Sequence, residues 1–315
     1  MVTGTIGAVL QVLAIAAGSP LLVGVMRQVR ARMEGRAGAG VAQPWRDLRK
    51  LMRKQAISPH GTGWVFRLAP LLLAGTALVA AAVVPLVTTA SPLDGVADLF
   101  AVTALLALGS VALALGALDT GTAFGGMGAS REMTVLALVE PTILVSVFAL
   151  SIRVGSTNLG SIVTATAEDP LSVISPVSAL AAVALAIVTI AETGRIPVDN
   201  PSTHLELTMI HEAMVLEYAG PDLALIEWAS AMRLSVLLGL LASLFFPLGI
   251  AGGDAGTLAL LVAVVAIVVK VALLGVLLAA GEVFMAKLRL FRVPELLAGS
   301  FLLALLAVAA SFFLA

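Results

Sequence analysis

Residues 192–220 read ETGRIPVDNPSTHLELTMIHEAMVLEYAG, and this stretch lies between two long apolar runs. It holds one arginine, two histidines and five carboxylates, and two more carboxylates follow at Asp222 and Glu227. Charges beside or inside a hydrocarbon layer are costly, and those that are kept usually line water paths or ion routes. The stretch therefore predicts a membrane protein with a charged functional site at one edge of its helices.

The composition is that of a membrane protein. The 315 residues are 60% hydrophobic and only 12% charged, with a mean hydropathy of +1.09, whereas roughly a quarter of the residues in a soluble domain are charged. The chain contains no cysteine, which excludes disulfides, a thiolate nucleophile and cysteine-ligated iron–sulfur clusters. Any electron carrier must therefore lie on another subunit.

Eight apolar runs are long enough to cross about 30 Å of hydrocarbon as helices. They cover Thr3–Val25, Leu68–Val87, Val96–Leu118, Met133–Ile152, Val173–Ala191, Ala224–Phe246, Thr257–Phe284 and Glu295–Leu314. The predicted fold class is an all-α integral membrane protein with about eight transmembrane helices. Residues 1–315 are expected to form a single polytopic membrane domain, with substantial loops at 27–67 and 192–223.

Lysine and arginine determine the predicted orientation. Ten of the eighteen lie between Arg27 and Arg67, and an eight-span arrangement places six more in connections on the same side. Those six are Arg131, Arg195, Arg233, Lys287, Arg289 and Arg292. Because loops rich in these residues stay in the cytoplasm, we expect both loops inside and both chain ends outside the cytoplasmic (inner) membrane.

The first loop contains a basic amphipathic segment, PWRDLRKLMRKQAI at residues 44–57, in which apolar residues recur at helical spacing. Two interpretations stay open. The helix binds the lipid surface, as basic amphipathic helices do, or it docks a soluble partner. The docking interpretation uses the charged residues Arg46, Asp47, Arg49, Lys50, Arg53 and Lys54.

The second loop predicts a short acidic helix. Pro197 and Pro201 end the preceding span, and a new helix is expected from about Pro201 to Tyr218. Glu206 and Glu217 are three turns apart and share a face, where stacked carboxylates in a poorly hydrated site raise each other's pKa. The alternative is that these acids only cap helices and pair with Arg195 and Arg233, or with the basic surface of a partner.

Two ionisable residues lie inside predicted spans. Glu140 is about two turns into the fourth span, and Lys270 is in the middle of the seventh, which ends near Glu282. A charge that faces lipid costs about 2.5–3.5 kcal/mol on insertion scales, so both side chains are expected to face the interior. Glu140 is then a proton carrier or a carboxyl satisfied by Arg131, and Lys270 either carries protons or meets a neighbouring subunit.

Two familiar motifs are incomplete. His211-Glu212 begins the zinc motif H-E-x-x-H, but Val215 stands where the second histidine is needed. The glycines at 121, 125, 126 and 128 lack the lysine and hydroxyl of a phosphate-binding loop, and they are expected to form a tight turn between the third and fourth spans. Neither motif predicts an enzyme active site.

Residues 192–218 resemble the signature of a known family, the eight-helix membrane subunit of complex I (subunit 1, or H). Its members typically read E-T-N-R-A-P-F-D-L-P-E-A-E-S-E-L, and the matching positions here are Glu192, Thr193, Arg195, Pro197, Asp199, Pro201, Glu206 and Leu207. The positions that differ are Gly194, Asn200, Ser202 and His204. The chain is more similar to the counterpart subunits of formate hydrogenlyase and hydrogenase-4-type complexes, because its acidic stretch is slightly longer than that of complex I.

The resemblance implies a subunit that has no redox centre of its own and joins an electron-transfer arm to other membrane subunits. The partners it implies are a hydrogenase large subunit, small iron–sulfur subunits, antiporter-like membrane subunits and the lipid bilayer, but no nucleic acid. Nickel–iron and iron–sulfur centres are expected on those partners, and quinone binding stays open.

The charge pattern and the resemblance together predict a proton path and a junction with the arm. The path residues are Glu140, Glu192, Glu206, Glu212, Glu217, Glu227 and Lys270. The junction residues are Arg131, Arg195, Pro197, Asp199, Pro201 and Tyr218. Three other functions stay open: a quinone-chamber subunit of an NADH:quinone oxidoreductase, a stand-alone secondary ion transporter, and a structural anchor with silent carboxylates.

Overall fold

The computed structural model describes residues 2–170, 174–199, 209–252 and 255–314, and within these ranges it contains eleven α-helices and no β-strand. The helices are α1 Val2–Met33, α2 Gln43–Met52, α3 Trp64–Val83, α4 Leu99–Asp119, α5 Ala123–Val154, α6 Leu159–Glu168, α7 Pro176–Glu192, α8 His211–Val215, α9 Gly220–Phe245, α10 Thr257–Phe284 and α11 Val293–Leu314. Single turns of 3₁₀ helix precede α4 and α11.

Seven of the described helices are long and apolar enough to cross a membrane, namely α1, α3, α4, α5, α9, α10 and α11. The fifth predicted span corresponds to α7, which is apolar but shorter, with 17 residues from Pro176. Its predicted start, Val173, lies outside the described residues. The predicted all-α membrane fold is therefore confirmed, with eight spans as an approximate count.

Four helices extend by at least four residues beyond the apolar runs that predicted them, and one of them is α3, which begins at Trp64 rather than Leu68. α1 continues to Met33 rather than Val25, α5 begins at Ala123 rather than Met133, and α9 begins at Gly220. Hydropathy finds only the apolar part of a span, whereas the helix itself ends where a cap or turn satisfies its terminal backbone groups. The extension of α5 matters most, because it places charged residues within the bundle.

The glycine-rich segment at 121–128 is a turn only at its start, so the prediction of a turn throughout was wrong. Gly121 has a φ of 64° and lies in the turn, but the later glycines belong to α5. A methyl group on Gly128 would lie 2.9 Å from the Ala213 Cβ and 3.0 Å from the Ile210 carbonyl oxygen. The helical glycine is therefore needed for the close approach of α8 to α5.

The helix α9 lies at the centre of the bundle. It packs against α1, α3, α7 and α10 and is buried along most of its length. Around it α3, α4, α5 and α11 follow as neighbours, α7 contacts both α5 and α11, and α1 packs against α10. The short helix α2 lies across α1 and α9. Helices α10 and α11 present wide apolar faces outward, which suit lipid or neighbouring membrane subunits.

Proline frees backbone carbonyls in this bundle, and polar side chains from other segments bond them. A helical proline cannot donate to the carbonyl four residues earlier, and hydrocarbon offers no water in its place. In α1, Pro20 frees the Ala16 carbonyl, which accepts a hydrogen bond from Trp228 Nε1 at 2.8 Å. The neighbouring Ala17 carbonyl accepts from Trp45 Nε1 at 3.1 Å. Both indoles are thereby fixed against α1.

The same arrangement recurs in α3. Pro70 frees the Phe66 carbonyl, which accepts from the Tyr218 hydroxyl at 3.1 Å. The Tyr218 ring also stacks on the Phe66 ring, with centroids 4.1 Å apart. The predicted junction residue Tyr218 thus ties the segment after α8 to the kinked helix α3.

A third proline follows the end of α3, and one buried glutamine bonds the backbone groups that are left without helical partners there. Pro85 cannot donate to the Ala81 carbonyl, which instead accepts from Gln11 Nε2 at 2.7 Å. Gln11 also donates to the Val84 carbonyl, and its own oxygen accepts from the next two backbone N–H groups after Pro85, at 3.0 and 2.9 Å. The Gln11 side chain of α1 therefore bonds four backbone groups at the end of α3 and just after it.

Replacing Tyr218 by phenylalanine removes only the hydroxyl and leaves the Phe66 carbonyl without its donor. We expect the free energy of unfolding to fall by about 1–2 kcal/mol, because a buried unpaired carbonyl keeps its desolvation cost. The midpoint of thermal unfolding in detergent measures this change. The control is Trp64→Phe, at an aromatic residue that is 72% exposed, which should shift stability by no more than about 0.5 kcal/mol. Equal midpoints for Tyr218→Phe and the wild type would contradict the role.

Candidate functional site

A polar cavity of about 830 Å³ lies between α1, α2, α4, α5, α7, α8 and α9. Six of the predicted functional residues line it: Asp47, Glu192, Arg195, Asp199, Glu212 and Glu227. Further ionisable residues of its wall are Arg27, Arg30, Arg36, Glu132, His211 and Arg233. The described ends of the acidic loop therefore lie at one end of the bundle. Their charged side chains line the same cavity as charged side chains of α1, α2, α5 and α9.

A buried ion pair joins α7 to α9. Glu192, the last residue of α7, pairs with Arg233 of α9, and both side chains are buried. Arg233 Nη2 also donates to Ser110 Oγ at 2.7 Å and to the Leu106 carbonyl at 2.9 Å. Ser110 donates in turn to Glu192 at 3.3 Å. The guanidinium therefore holds α4, α7 and α9 together at one point.

Counting positive charges by loop assigned Arg233 to a cytoplasmic connection, and this was wrong. The helix α9 begins at Gly220, so Arg233 lies about 20 Å along its axis at 1.5 Å per residue. An arginine at such a depth is tolerated when it faces the interior and meets a carboxylate. Glu192 supplies that carboxylate.

The imidazole of His211 lies between two carboxylates. Its Nε2 is 3.5 Å from Glu132 Oε2, and its Nδ1 is 3.7 Å from Asp199 Oδ2. Burial by itself would lower the pKa of His211, but the negative charges of Glu132 and Asp199, with Glu192, outweigh it and raise the pKa to about 9. The histidine is therefore a cation at neutral pH and links α8 to α5.

Asp199 fixes the loop that follows α7. Its Oδ2 accepts hydrogen bonds from the backbone N–H groups of Ile210 and His211, both at 3.1 Å. Its Oδ1 pairs with Lys287 at 3.2 Å, and the Pro197 carbonyl accepts from the backbone N–H of the residue after Lys287 at 2.9 Å. The two predicted junction residues, Pro197 and Asp199, thus attach the loop to the segment between α10 and α11.

Two predicted junction arginines hold other parts of the same region. Arg195 Nη1 is 3.9 Å from Glu282, which is buried in α10 and also pairs with Arg30 of α1. Arg131 Nη1 donates to the Met209 carbonyl at 2.8 Å. The described beginning and end of the acidic loop are therefore each held by an arginine.

Glu140 lies deeper in α5, two turns beyond Glu132 and about 12 Å along the axis. Its Oε1 is buried and has no hydrogen-bond partner among the described residues. Arg131, one partner considered from the sequence, bonds the Met209 carbonyl instead.

Lys270 lies apart from the cavity. Its Nζ donates to the Phe246 carbonyl at 2.6 Å, immediately after the end of α9. Glu227 lies about two turns into that helix and Arg233 lies near its middle, so the structure does not bring Lys270 to them. A cation at this position stabilises the negative end of the helix dipole.

The predicted helix from Pro201 to Tyr218 is observed only in part. Pro201 and Glu206 lie outside the described residues, as do Asn200, Ser202 and His204. The described part, α8, ends at Val215, because the chain then turns to bring Tyr218 to α3. Glu217 follows α8 and is not among the residues that line the cavity.

The amphipathic helix predicted in the first loop is present as α2. Its buried residues are Pro44 and Leu48, and Asp47 faces the cavity, where its carboxylate accepts from Gln43 Nε2 at 2.8 Å. Arg46 and Arg49 line a separate apolar groove on the other side of the helix. The remaining basic residues, Lys50, Arg53 and Lys54, are exposed.

Sequence reasoning did not select Glu132, His211 or Ser110. Glu132 precedes the apolar run at Met133 and was taken to lie outside the span. The N-cap signal of Thr122, whose hydroxyl accepts from a backbone N–H of the first turn of α5, would have extended the helix to include it. His211 was considered only as part of a zinc motif, and Ser110 carries no charge that could distinguish it.

The arrangement supports proton chemistry. In the described ranges no group of three or more histidine or acidic side chains is placed to hold a metal ion. The cavity wall instead combines carboxylates, a histidine cation and arginines in a partly enclosed space. Such sets of ionisable groups in membrane proteins mark proton and ion routes.

Removing one partner of the Glu192–Arg233 pair should destabilise the protein more than removing both. Glu192→Gln leaves a buried guanidinium without its carboxylate, and we expect a loss of about 3–5 kcal/mol. The double replacement Glu192→Leu with Arg233→Met leaves no buried charge and should recover most of that loss. Thermal unfolding of the single and double variants in detergent checks this. Additive destabilisation in the double variant would show that the two residues act independently.

The histidine predicts a pH-dependent stability. Folding raises the pKa of His211 from about 6.5 to about 9, so its contribution to stability is complete below about pH 6.5 and is lost as the pH rises through 9. We expect the wild-type unfolding midpoint to fall by several degrees over this range, relative to His211→Gln, since 1 kcal/mol shifts the midpoint by roughly 2–4 °C. His60→Gln, at an exposed histidine, should keep the wild-type slope. Parallel curves for His211→Gln and the wild type would overturn the assignment.

Comparisons with known proteins agree with the resemblance of residues 192–218. The chain is 37% identical to formate hydrogenlyase subunit 4 of Escherichia coli (strain K12) over 303 residues, and this alignment covers 95% of each chain. It is 38% identical over 289 residues to hydrogenase-4 component C of the same organism, covering 92% of this chain and 90% of that one. It is 30% identical over 241 residues to NADH-ubiquinone oxidoreductase chain 1 of Arabidopsis thaliana, covering 72% of each.

The fold also has a counterpart among solved structures. A chain of the membrane-bound sulfane sulfur reductase, an archaeal respiratory membrane complex, superimposes with a TM-score of 0.84 over 97% of this chain and 98% of its own, at 20% identity. At that identity the likeness shows the shared fold alone. Residues 6–313 match the NADH dehydrogenase family, and together with these relatives the match shows that the chain belongs to this family, which unites the eight-helix membrane subunit of complex I with its hydrogenase counterparts.

Proposed function

We propose that the chain is the membrane-anchor and proton-coupling subunit of a membrane-bound hydrogenase or formate hydrogenlyase-like complex, and that it has no catalytic centre of its own. The observation that supports this most is the polar cavity at one end of the bundle, whose wall combines carboxylates, a histidine and arginines. The relatives at 37% and 38% identity are subunits of formate hydrogenlyase and hydrogenase-4, which favours this branch.

The proposed mechanism is electrostatic. Electron transfer in a docked arm changes the charge near the cavity, and in a poorly hydrated interior such a change alters the proton affinity of nearby groups strongly. Protons enter at the carboxylates of the loop, Glu212 and Glu227. They pass His211 and Glu132 and reach Glu140.

Other residues of the proposed path have supporting positions. Arg233 cannot deprotonate at physiological pH, so with Glu192 it forms a fixed charge pair beside the route. Glu206 and Glu217 extend the route on the side of the loop. Lys270, at the other end of α9, joins the proposal as the cation that passes protons to a neighbouring membrane subunit.

The proposed partners follow from the two ends of this route. A hydrogenase large subunit and small iron–sulfur subunits dock at the cytoplasmic end, against the acidic loop and the exposed cations Lys50, Arg53 and Lys54 of the first loop. They carry the nickel–iron and iron–sulfur centres. Antiporter-like subunits pack on the exposed apolar faces of the bundle. In this proposal the protein lies in the cytoplasmic membrane with both chain ends outside.

The quinone-chamber alternative is less well supported by the cavity wall. Pockets for apolar ligands are lined mainly by hydrophobic and aromatic side chains, with a few polar groups that orient the ligand. The wall here carries twelve ionisable side chains among its residues, and these hold water and protons better than an isoprenoid chain. Inhibition of the assembled complex by quinone-site ligands would nevertheless favour the quinone alternative.

The other two alternatives lack specific support. A stand-alone secondary transporter of the inverted-repeat type has paired broken helices that form a midplane site, whereas the ionisable groups here collect at one end of the bundle. A structural anchor with silent carboxylates does not need a carboxylate inside a span without a basic partner, and Glu140 pairs with no lysine or arginine in the described part of the chain. Both alternatives predict that replacing the carboxylates of the proposed path leaves electron transfer normally coupled to proton movement.

Glu140→Gln tests the proposed function without disturbing the Glu192–Arg233 pair. In the assembled complex we expect hydrogen-driven dye reduction close to that of the wild type, because no redox centre is changed. Proton translocation in proteoliposomes should fall by at least about tenfold, because a proton carrier is lost. The control is Glu168→Gln, the same chemical change at an exposed position at the end of α6, which should translocate normally. Full translocation by Glu140→Gln in an active complex would refute the route.

A further inference from the structure

An apolar groove of about 550 Å³ lies on the outer side of α2, where this helix crosses α9. Its apolar walls are Trp45, Leu48, Met52 and Trp228, and Arg46 and Arg49 stand among them. The groove and the polar cavity lie on different faces of α2, because Asp47 and Leu51 line the cavity instead, and Leu48 lies between the two and lines both. An apolar space bordered by two cations at a membrane surface calls for an amphiphilic ligand with a negative head.

The two tryptophans present their apolar faces to this groove. Their indole N–H groups are directed inward and bonded to the Ala17 and Ala16 carbonyls of α1, at 3.1 and 2.8 Å. The rings are therefore held in place and have no remaining donor to offer a polar ligand. Tryptophan fixed in this manner is typical of the level where acyl chains meet lipid head groups.

The charge of the groove is uncompensated. Its described lining includes two arginines and no acid, and the one acid of α2, Asp47, bonds Gln43 on the cavity side. Arg46 and Arg49 are exposed, so both are free to turn toward a phosphate. Arginine binds phosphate through two parallel hydrogen bonds, and basic helices at the cytoplasmic surface attract anionic lipids.

We propose that this groove binds one anionic phospholipid, with an acyl chain between Trp45, Met52 and Trp228 and the phosphate held by Arg46 and Arg49. The lipid would fill the space between α2 and α9 and so fix the helix that forms one wall of the polar cavity. This inference does not depend on which electron-transfer arm the subunit carries. Its failure would leave the proton-coupling proposal untouched.

The test uses the tryptophans as reporters. The full-length chain contains three tryptophans, and Trp64→Phe removes the one outside the groove. In nanodiscs, brominated phosphatidylglycerol and brominated phosphatidylcholine at equal mole fraction are compared as quenchers of the remaining fluorescence. We expect the anionic lipid to quench several-fold more effectively. Arg46→Gln with Arg49→Gln should abolish that preference, because each arginine contributes about fivefold to the binding of an anionic lipid.

The matched control removes the same charge from the same helical segment outside the groove. Lys50→Gln with Arg53→Gln should leave the preference for phosphatidylglycerol close to that of the Trp64→Phe parent. Equal losses in both double variants would show general surface attraction and overturn a specific site. Equal quenching by the two lipids in the parent, or no quenching by either, would also overturn it, the latter by showing that the groove is closed to lipid.

Discussion

The buried guanidinium of Arg233 is the interaction on which the interior of this protein depends. It lies in the middle of the central helix, where hydrocarbon and apolar side chains offer a charge no solvation. The guanidinium pairs with the Glu192 carboxylate and donates hydrogen bonds to the Ser110 hydroxyl and the Leu106 carbonyl. Because Glu192 is the last residue of α7, satisfying this one cation also fixes where α7 ends and where the acidic loop begins. The site and the fold therefore share a single electrostatic requirement.

A second requirement, the pairing of carbonyls freed by proline, connects the acidic loop to distant spans. The donors for Pro20 of α1 and Pro70 of α3 are Trp228 and Tyr218, which flank the start of α9 just after the loop. A hydrogen bond to such a carbonyl has no aqueous substitute inside the bundle. Displacement of the segment that carries Tyr218 and Trp228 would therefore break hydrogen bonds to carbonyls of both α1 and α3. The loop that bears the charges is mechanically joined to the spans that surround the cavity.

The sequence was sufficient for the fold class because eight apolar runs leave few other structures. It also found most of the described cavity carboxylates, since charges between spans are conspicuous. It failed where a helix continues past its apolar run, as α5 does before Met133 and α9 does before Ala224. The extension of α5 places Glu132 inside the bundle, which hydropathy cannot detect, whereas Arg233 lay within the predicted sixth run and was misplaced by the count of loop charges. Ser110 and the partners of Gln11 depend on tertiary contacts between helices far apart in sequence, which no local pattern records.

The degree of pairing separates the carboxylates that support the architecture from those suited to carry protons. Glu192 pairs with Arg233, and Glu282 pairs with Arg30. Protonating either glutamate would leave a buried arginine without its counter-charge and would destabilise the contacts between helices. Glu132 is held only by a histidine that it shares with Asp199, and Glu140 has no arginine partner among the described residues, although all four glutamates keep one buried oxygen without a hydrogen bond. Groups with incomplete pairing lose less when they gain a proton. In the proposed route, protons therefore move along His211, Glu132 and Glu140, while the carboxylates paired with arginine keep the surrounding helices in place.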